Sequence, residues 1–131
     1  MYLLDTCVLS DFVKGDQSTQ NKLKSCHPSM VSISTLTVME IEYGLKRIPQ
    51  RRQDIDHVLE PLYQAVRILP FCEHCAMTAA QLRFYLIQEG RPIGAYDYLI
   101  AATSLTHKFI MVTANLKEFE RVRGLKVESW R

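Results

Sequence analysis

Apolar and polar positions along the chain follow two periods in turn. Met1 to Leu4 is a short apolar run that ends in Asp5, and Met30-Val31-Ser32-Ile33-Ser34 alternates as a strand does. Arg67-Ile68-Leu69-Pro70 predicts a third strand and Leu125 to Trp130 a last one. Phe109 to Thr113 predicts a fourth, whose apolar run suits the interior of a sheet. Helical signals fill the intervals. Thr6 to about Gly15 predicts a short helix, Gln17 to Cys26 a polar one, and His27-Pro28-Ser29 a turn. Ser34 or Thr35 can cap a helix from about Leu36 to Arg47, which Pro49 ends. Ile55, Val58, Leu59 and Leu62 recur at helical spacing across Arg51 to Val66, with Pro61 expected to kink or divide that helix. Cys75 to Glu89 predicts a long helix with Met77, Ala80, Leu82, Phe84 and Leu86 largely buried, stopped by Gly90-Arg91-Pro92. A further helix opens at Tyr96-Asp97, with Ala101 and Ser104 in the row of Asp97, and a short one follows Asn115. Strands alternating with helices define the α/β class, with a central parallel sheet of four to five strands flanked by helices.

The 131 residues suit one domain, spanning residues 1–131, with a core of its own and no linker or repeat. The net charge of +2 gives no global basic field, so any nucleic acid must be met by a local patch. No apolar stretch reaches membrane-spanning length, and Asp5 and Asp11 break the first one before it resembles a signal peptide. The expected location is the cytoplasm, where Cys7, Cys26, Cys72 and Cys75 stay reduced. Cys72-Glu73-His74-Cys75 resembles half of a zinc site or a redox pair. Cys26-His27 has poor spacing for the second half of a zinc site, so small residues opening a helix are the better expectation.

The candidate chemistry lies in the acids. Asp5 closes the first strand, Glu40 and Glu42 lie on the helix after the second, Asp97 opens a later helix, and Asn115 and Glu118 follow the fourth strand. In a parallel α/β sheet, strand ends and the helices that follow converge at one edge. Two unit charges about 4 Å apart repel by ~4 kcal/mol at a dielectric of about 20, so gathered carboxylates call for a cation. An all-oxygen set suits Mg²⁺ or Mn²⁺. Glu40 and Glu42 point to nearly opposite faces of their helix, and its two apolar stripes do not choose between them. Gly44, in the row of Glu40, leans towards Glu40 by permitting close approach. Walker, Gly-x-Gly-x-x-Gly and Gly-x-Ser-x-Gly motifs are absent, and His57, His74 and His107 have no evident catalytic partner.

Leu3-Leu4-Asp5-Thr6-Cys7-Val8-Leu9 resembles the opening of a PIN domain, and Met39-Glu40-Ile41-Glu42-Tyr43-Gly44-Leu45 resembles its second acidic motif. Tyr96-Asp97-Tyr98-Leu99-Ile100-Ala101-Ala102, Val112-Thr113-Ala114-Asn115 and Glu118 to Leu125 resemble the third and fourth. The match runs in order through the chain to Trp130 and is nearest the VapC toxins of bacterial toxin–antitoxin pairs. The resemblance implies a Rossmann-like fold and a Mg²⁺- or Mn²⁺-dependent endoribonuclease. It further implies a homodimer, inhibited by a cognate VapB-like DNA-binding antitoxin. It places Asp5, Glu40 and Asp97 in the three core acidic positions, so favouring Glu40 over Glu42. Asn115 stands where many PIN domains have Asp, with Glu118 the acid that can stand in for it. Whether one ion or two bind is open. Thr6 and Thr113 are expected to orient carboxylates.

RNA phosphates would be met by Lys46, Arg47, Arg51 and Arg52, and by Lys117, Arg121 and Arg123, with Tyr96 and Tyr98 as stacking candidates. The antitoxin groove is expected at Val8, Leu9, Phe12, Val13, Leu36 and Tyr43. Two rival readings share this architecture. A signalling receiver needs an Asp closing its third strand, but that strand ends Leu69-Pro70-Phe71. A non-catalytic PIN-like binding module would not need all three acids.

Overall fold

The computed structural model describes all 131 residues, Met1–Arg131. Five short strands form one parallel sheet: β1 (Tyr2–Leu4), β2 (Val31–Ser34), β3 (Arg67–Leu69), β4 (Ile110–Val112) and β5 (Lys126–Glu128), in the order β3-β2-β1-β4-β5. Seven helices connect them: α1 (Thr6–Val13), α2 (Gln17–Lys24), α3 (Thr35–Arg47), α4 (Gln50–Ala65), α5 (Glu73–Gln88), α6 (Ala95–His107) and α7 (Leu116–Phe119). A 3₁₀ turn at Pro28–Met30 leads into β2. In a receiver domain β3 would sit at the centre of the sheet. Here it is an edge strand without an acid at its end, which removes that reading.

β1 is the middle strand, with Leu4 in register with Ile33 of β2 on one side and Val112 of β4 on the other. Alternation along β1 and β4 builds a core on each face. Leu3 and Met111 pack with Leu82 and Leu86 of α5, Tyr98 and Ile100 of α6 and Phe119 of α7. Leu4 and Val112 pack with Val8 and Leu9 of α1, Leu62 of α4 and Trp130. Leu3, Leu4 and Met111 have no exposed surface, and each such side chain contributes ~1.5–3 kcal/mol relative to exposure. Every helix from α1 to α3 starts on a side-chain cap, from Asp5, Asp16 and Ser34 in turn.

Several expectations need correction. Pro61 does not divide α4, which runs unbroken from Gln50 to Ala65. The carbonyl of His57 loses its helical donor there, but both residues are exposed and water can satisfy it. In α5, Leu82 and Leu86 are buried as expected, whereas Ala80 is exposed and Met77 and Phe84 are 68% and 66% exposed. Val8 and Leu9 lie in the core, not in a groove. The cysteines lie on different faces of the sheet. Cys26 packs on the α1 and α4 face of the sheet, while α5, which carries Cys75, covers the other.

Candidate active site

The register of the sheet sets the site. Because Leu4 pairs with Val112, Asp5 and Thr113 leave neighbouring strand ends side by side, and the Asp5 N–H donates to the Val112 carbonyl at 3.0 Å. Asp5 is 5% exposed, and both its oxygens are held. Oδ1 accepts the Val8 N–H at 2.9 Å as the cap of α1, and Oδ2 accepts the Thr113 hydroxyl at 2.6 Å. Burial pushes the Asp5 carboxyl above its ordinary value. The two hydrogen bonds oppose that shift, and the charges of Glu40 and Asp11 add to it.

Ser34, beside Asp5 on β2, caps α3 by accepting the Thr37 N–H at 3.1 Å. That start aims Glu40 at α1, where the Thr6 hydroxyl donates to its Oε1 at 2.7 Å. Thr37 Oγ1 lies 3.2 Å from Thr6 Oγ1 and steadies the arrangement. Glu42, two residues on, turns away. Its Oε1 accepts from Arg52 of α4 at 2.8 Å, and Arg52 also pairs with Asp56 at 3.0 Å. Burial and then the Glu42 charge push the Tyr63 hydroxyl up to about 12, which places Glu42 in a structural cluster between α3 and α4. The geometry thus separates two acids that periodicity left equivalent.

Asp97 stands in the first turn of α6, half-buried, and its carboxyl is pushed up to about 7. Burial is the largest cause, followed by a hydrogen bond to Glu118 and the charges of Glu118, Glu40 and Asp5. Glu118 moves the other way. Its own burial acts upward, but bonds from the Gly94 N–H, Asp97 and the Asn115 amide, with the nearby Arg121 charge, bring it below its usual range. Gly94 N donates to Glu118 Oε1 at 2.9 Å and Asn115 Nδ2 to Oε2 at 2.5 Å. Thr113 closes the circuit by accepting the Asn115 N–H at 3.0 Å. Asp5, Thr113, Asn115 and Glu118 therefore form one hydrogen-bonded run along the sheet edge, with Asp97 beside its far end. No three carboxylates, histidines or cysteines surround a common point, so the acids are gathered but not set as a finished cage.

Gly94, which precedes α6 as its cap, is a site residue the sequence did not single out. A Cβ there would lie 2.7 Å from Asp97 Oδ2, so only glycine leaves room for that carboxylate. Thr37 was also missed. The only signal for either was position, three residues before an acid in each case.

The expected RNA contacts are dispersed. Arg51 lines a groove of about 480 Å³ among α1, α3 and α4, beside Thr6 and Glu40. Lys117 is exposed on α7, Tyr96 is 50% exposed, and Arg47 stacks over the Tyr43 ring at 5.8 Å. Arg121 donates to the Pro92 carbonyl at 2.8 Å, bracing the loop that carries Gly94. Arg123 lies 4.3 Å from the centre of the Tyr85 ring and 3.7 Å from Glu89. Tyr98 is 4% exposed, and its hydroxyl accepts the Ile93 N–H at 3.1 Å, so it cannot stack on a base.

A parallel sheet in this order, with carboxylates converging past β1, β2 and β4, is the frame of a nuclease domain. Residues 2–125 match the PIN domain model, and the chain belongs to the PIN-domain family. Within it, the chain is similar to the tRNA(fMet)-specific endonuclease VapC of Shigella flexneri, 30% identical across 98% of this chain and 97% of the relative. Toxin FitB of Neisseria gonorrhoeae is 32% identical, with 91% of both chains covered. Among solved structures, VapBC2 from Rickettsia felis, bound to a DNA fragment from its promoter, superposes with a TM-score of 0.90. It is 29% identical, with 99% of this chain and 98% of that one covered.

Proposed function

We propose that this protein is a divalent-metal-dependent endoribonuclease toxin of the VapC type, neutralised by a cognate VapB-like antitoxin. The observation that supports it best is the hydrogen-bonded run from Asp5 to Glu118, with Asp97 beside its far end and Glu40 turned towards α1 by Thr6. Asp5, Glu40 and Asp97 would hold Mg²⁺ or Mn²⁺. Their donor set is all oxygen, and the upward shifts of Asp5 and Asp97 reflect buried, crowded anions that a hard cation relieves. When bound, such a cation supplies an acidified water and charge stabilisation at a phosphodiester. The chain's own part is positional. Thr113 and the α1 cap fix Asp5, Thr6 fixes Glu40, and Glu118, gripped by Asn115 and Gly94, fixes Asp97. Below about pH 7 Asp97 keeps its proton beside Glu118, and it must release that proton to act as an anion.

RNA is proposed to cross the groove lip at Arg51, with Lys117, Arg47 and Tyr96 as further contacts and Arg121 offering what its bond to Pro92 leaves free. Apolar Val13, Ile41, Leu45 and Ile55 line the groove beside acidic Asp54 and Glu40, which suits an antitoxin segment carrying apolar and basic side chains. Met77, Phe84 and Ile87 expose an apolar side of α5, which a second copy of the chain would cover in the homodimer. A monomer in sedimentation at micromolar concentration would remove that assignment.

The decisive test is cleavage of RNA by the purified chain, beginning with initiator methionine tRNA because a relative bears that specificity. Cleavage should require Mg²⁺ or Mn²⁺ and stop with chelator. No metal-stimulated cutting of tRNA, ribosomal or total RNA would overturn the proposal and favour a non-catalytic module. Two variants probe the acid assignment. Glu40→Gln should lose at least ~10²-fold in cleavage, a few kcal/mol of metal-dependent stabilisation. Glu42→Ala should cleave normally and lose up to about 1 kcal/mol of stability, since its pair with Arg52 is partly exposed. Gly94→Ala should fold, because its φ of −60° suits alanine. Its methyl would displace the Asp97 carboxylate, and cleavage should fall by ~10-fold or more in single-turnover assays.

A further inference from the structure

Cys72-Glu73-His74-Cys75 plays no part in the site described above. It joins β3 to α5 with Cys72 as the helix cap, and the Cys75 N–H donates to Cys72 Sγ at 3.4 Å. The two sulfur atoms lie 3.2 Å apart, within S–H···S range. Their surroundings differ. Cys72 is exposed, whereas Cys75 is fully buried on the inner side of the first turn. One reachable sulfur backed by one sheltered sulfur at a helix start is the arrangement that thiol–disulfide exchange uses. No third ligand stands near enough to make the pair a metal site.

We propose that Cys72 and Cys75 are a redox-active dithiol that closes reversibly to an intramolecular disulfide by exchange with a small disulfide such as glutathione disulfide. In the first step the Cys72 thiolate attacks one sulfur of the small disulfide. A Cys72 mixed disulfide forms, and one small thiolate leaves and takes up a proton. In the second, Cys75 gives up its proton and its sulfur attacks Cys72 Sγ, expelling the second small thiol. The protein loses two electrons and two protons, and the small disulfide becomes two thiols. The hydrogen bonds from the Cys75 N–H and thiol hold the Cys72 thiol below its ordinary value, so thiolate is available for the first step. The same bonds stabilise the reduced form, and the closed loop is short. Both features make the disulfide easy to reopen, unlike a structural bridge. The link would form beside a cavity of about 210 Å³ lined by Phe71, Ala76 and Ala79 on one side and by Ala95 and Tyr98 of the Asp97 helix on the other.

The test equilibrates the native full chain with graded ratios of glutathione and glutathione disulfide, followed by acid quench, alkylation and peptide mass mapping. The expected result is loss of two of the four alkylatable thiols. The peptide holding Cys72 and Cys75 should be lighter by two hydrogens, Cys7 and Cys26 should remain alkylated, and dithiothreitol should restore all thiols. Cys72→Ser, an exposed change, should leave Cys75 unoxidised, and Cys75→Ala should trap a lasting glutathione adduct on Cys72. Both thiols remaining free in glutathione disulfide alone would overturn the proposal. So would a lasting glutathione adduct on the native chain, or a Cys72–Cys72 link between chains on a non-reducing gel.

Discussion

Asp97→Asn should lower RNA cleavage by at least ~10²-fold, the loss of several kcal/mol of metal-borne charge stabilisation. Its effect on the metal-free fold should be the opposite. The Asp97 carboxyl titrates at about 7 in the folded chain against 3.8 for an ordinary aspartate. Between those values the folded state holds a proton that the unfolded state has released. Stability contributed by this group is therefore complete below about pH 3.8, declines as pH rises towards 7, and stays lost above. Asparagine removes that dependence. Melting in chelator across this range should fall with pH for the native chain and stay flatter for the variant. Glu118, shifted downward, makes its contribution in full above its ordinary value of 4.5 and loses it as pH falls from there, so the two groups oppose each other only at the acid end of that window. At limiting Mg²⁺, cleavage should rise with pH as the proton on Asp97 ceases to compete with the cation, and a variant cutting within tenfold of the native chain would remove Asp97 from the reaction.

The second large effect separates two jobs of one residue. Asp5 is both a proposed metal-binding acid and the cap of α1, so Asp5→Ala should lose cleavage and stability together. Losing a helix cap costs ~1 kcal/mol, and a Thr113 hydroxyl left without its buried acceptor adds about 1 kcal/mol more. A drop of about 2 kcal/mol would lower the melting temperature by roughly 4–12 °C at this size. Asp5→Asn keeps a capping oxygen and should melt within a few degrees of the native chain. Its cleavage should still fall at least ~10²-fold, because a neutral amide cannot replace an anionic metal ligand. If alanine and asparagine melted alike, the cap would not be carrying that stability. If asparagine still cut RNA, the acid would not be carrying the chemistry.

Strand ends and caps were legible in the sequence because they are local. Asp5 after Leu4 and Ser34 before Thr35 lie where the pattern changes period, and the sheet brings both strand ends together. The choice between Glu40 and Glu42 was not legible from periodicity. It depends on Arg52, which reaches Glu42 from another helix; the family resemblance anticipated it, whereas the close approach expected at Gly44 is not there, the space beside it being open. Gly94 was not singled out, because its reason is an oxygen that its Cβ would meet at 2.7 Å, on a side chain one helical turn further on. Met77 and Phe84 are expected in the core yet lie exposed, because an apolar helix stripe reads the same in sequence whether it packs inward or faces outward. Tyr98 was misread as a stacking residue because its burial under α5 is set by tertiary packing. Pro61 was read as a break, yet its cost falls on a solvated turn.

β1 lies far ahead of β4 in the chain, yet it is the middle strand of the sheet and must wait for β4 to pair with it. Until the ribosome has released residues 110–118, Leu4 has no neighbour on that flank and Asp5 lacks the Thr113 hydroxyl. Asp97 likewise lacks its clasp from Glu118. Synthesis thereby imposes its own order: the run from Asp5 to Glu118 can close only once β4 and α7 have joined the sheet.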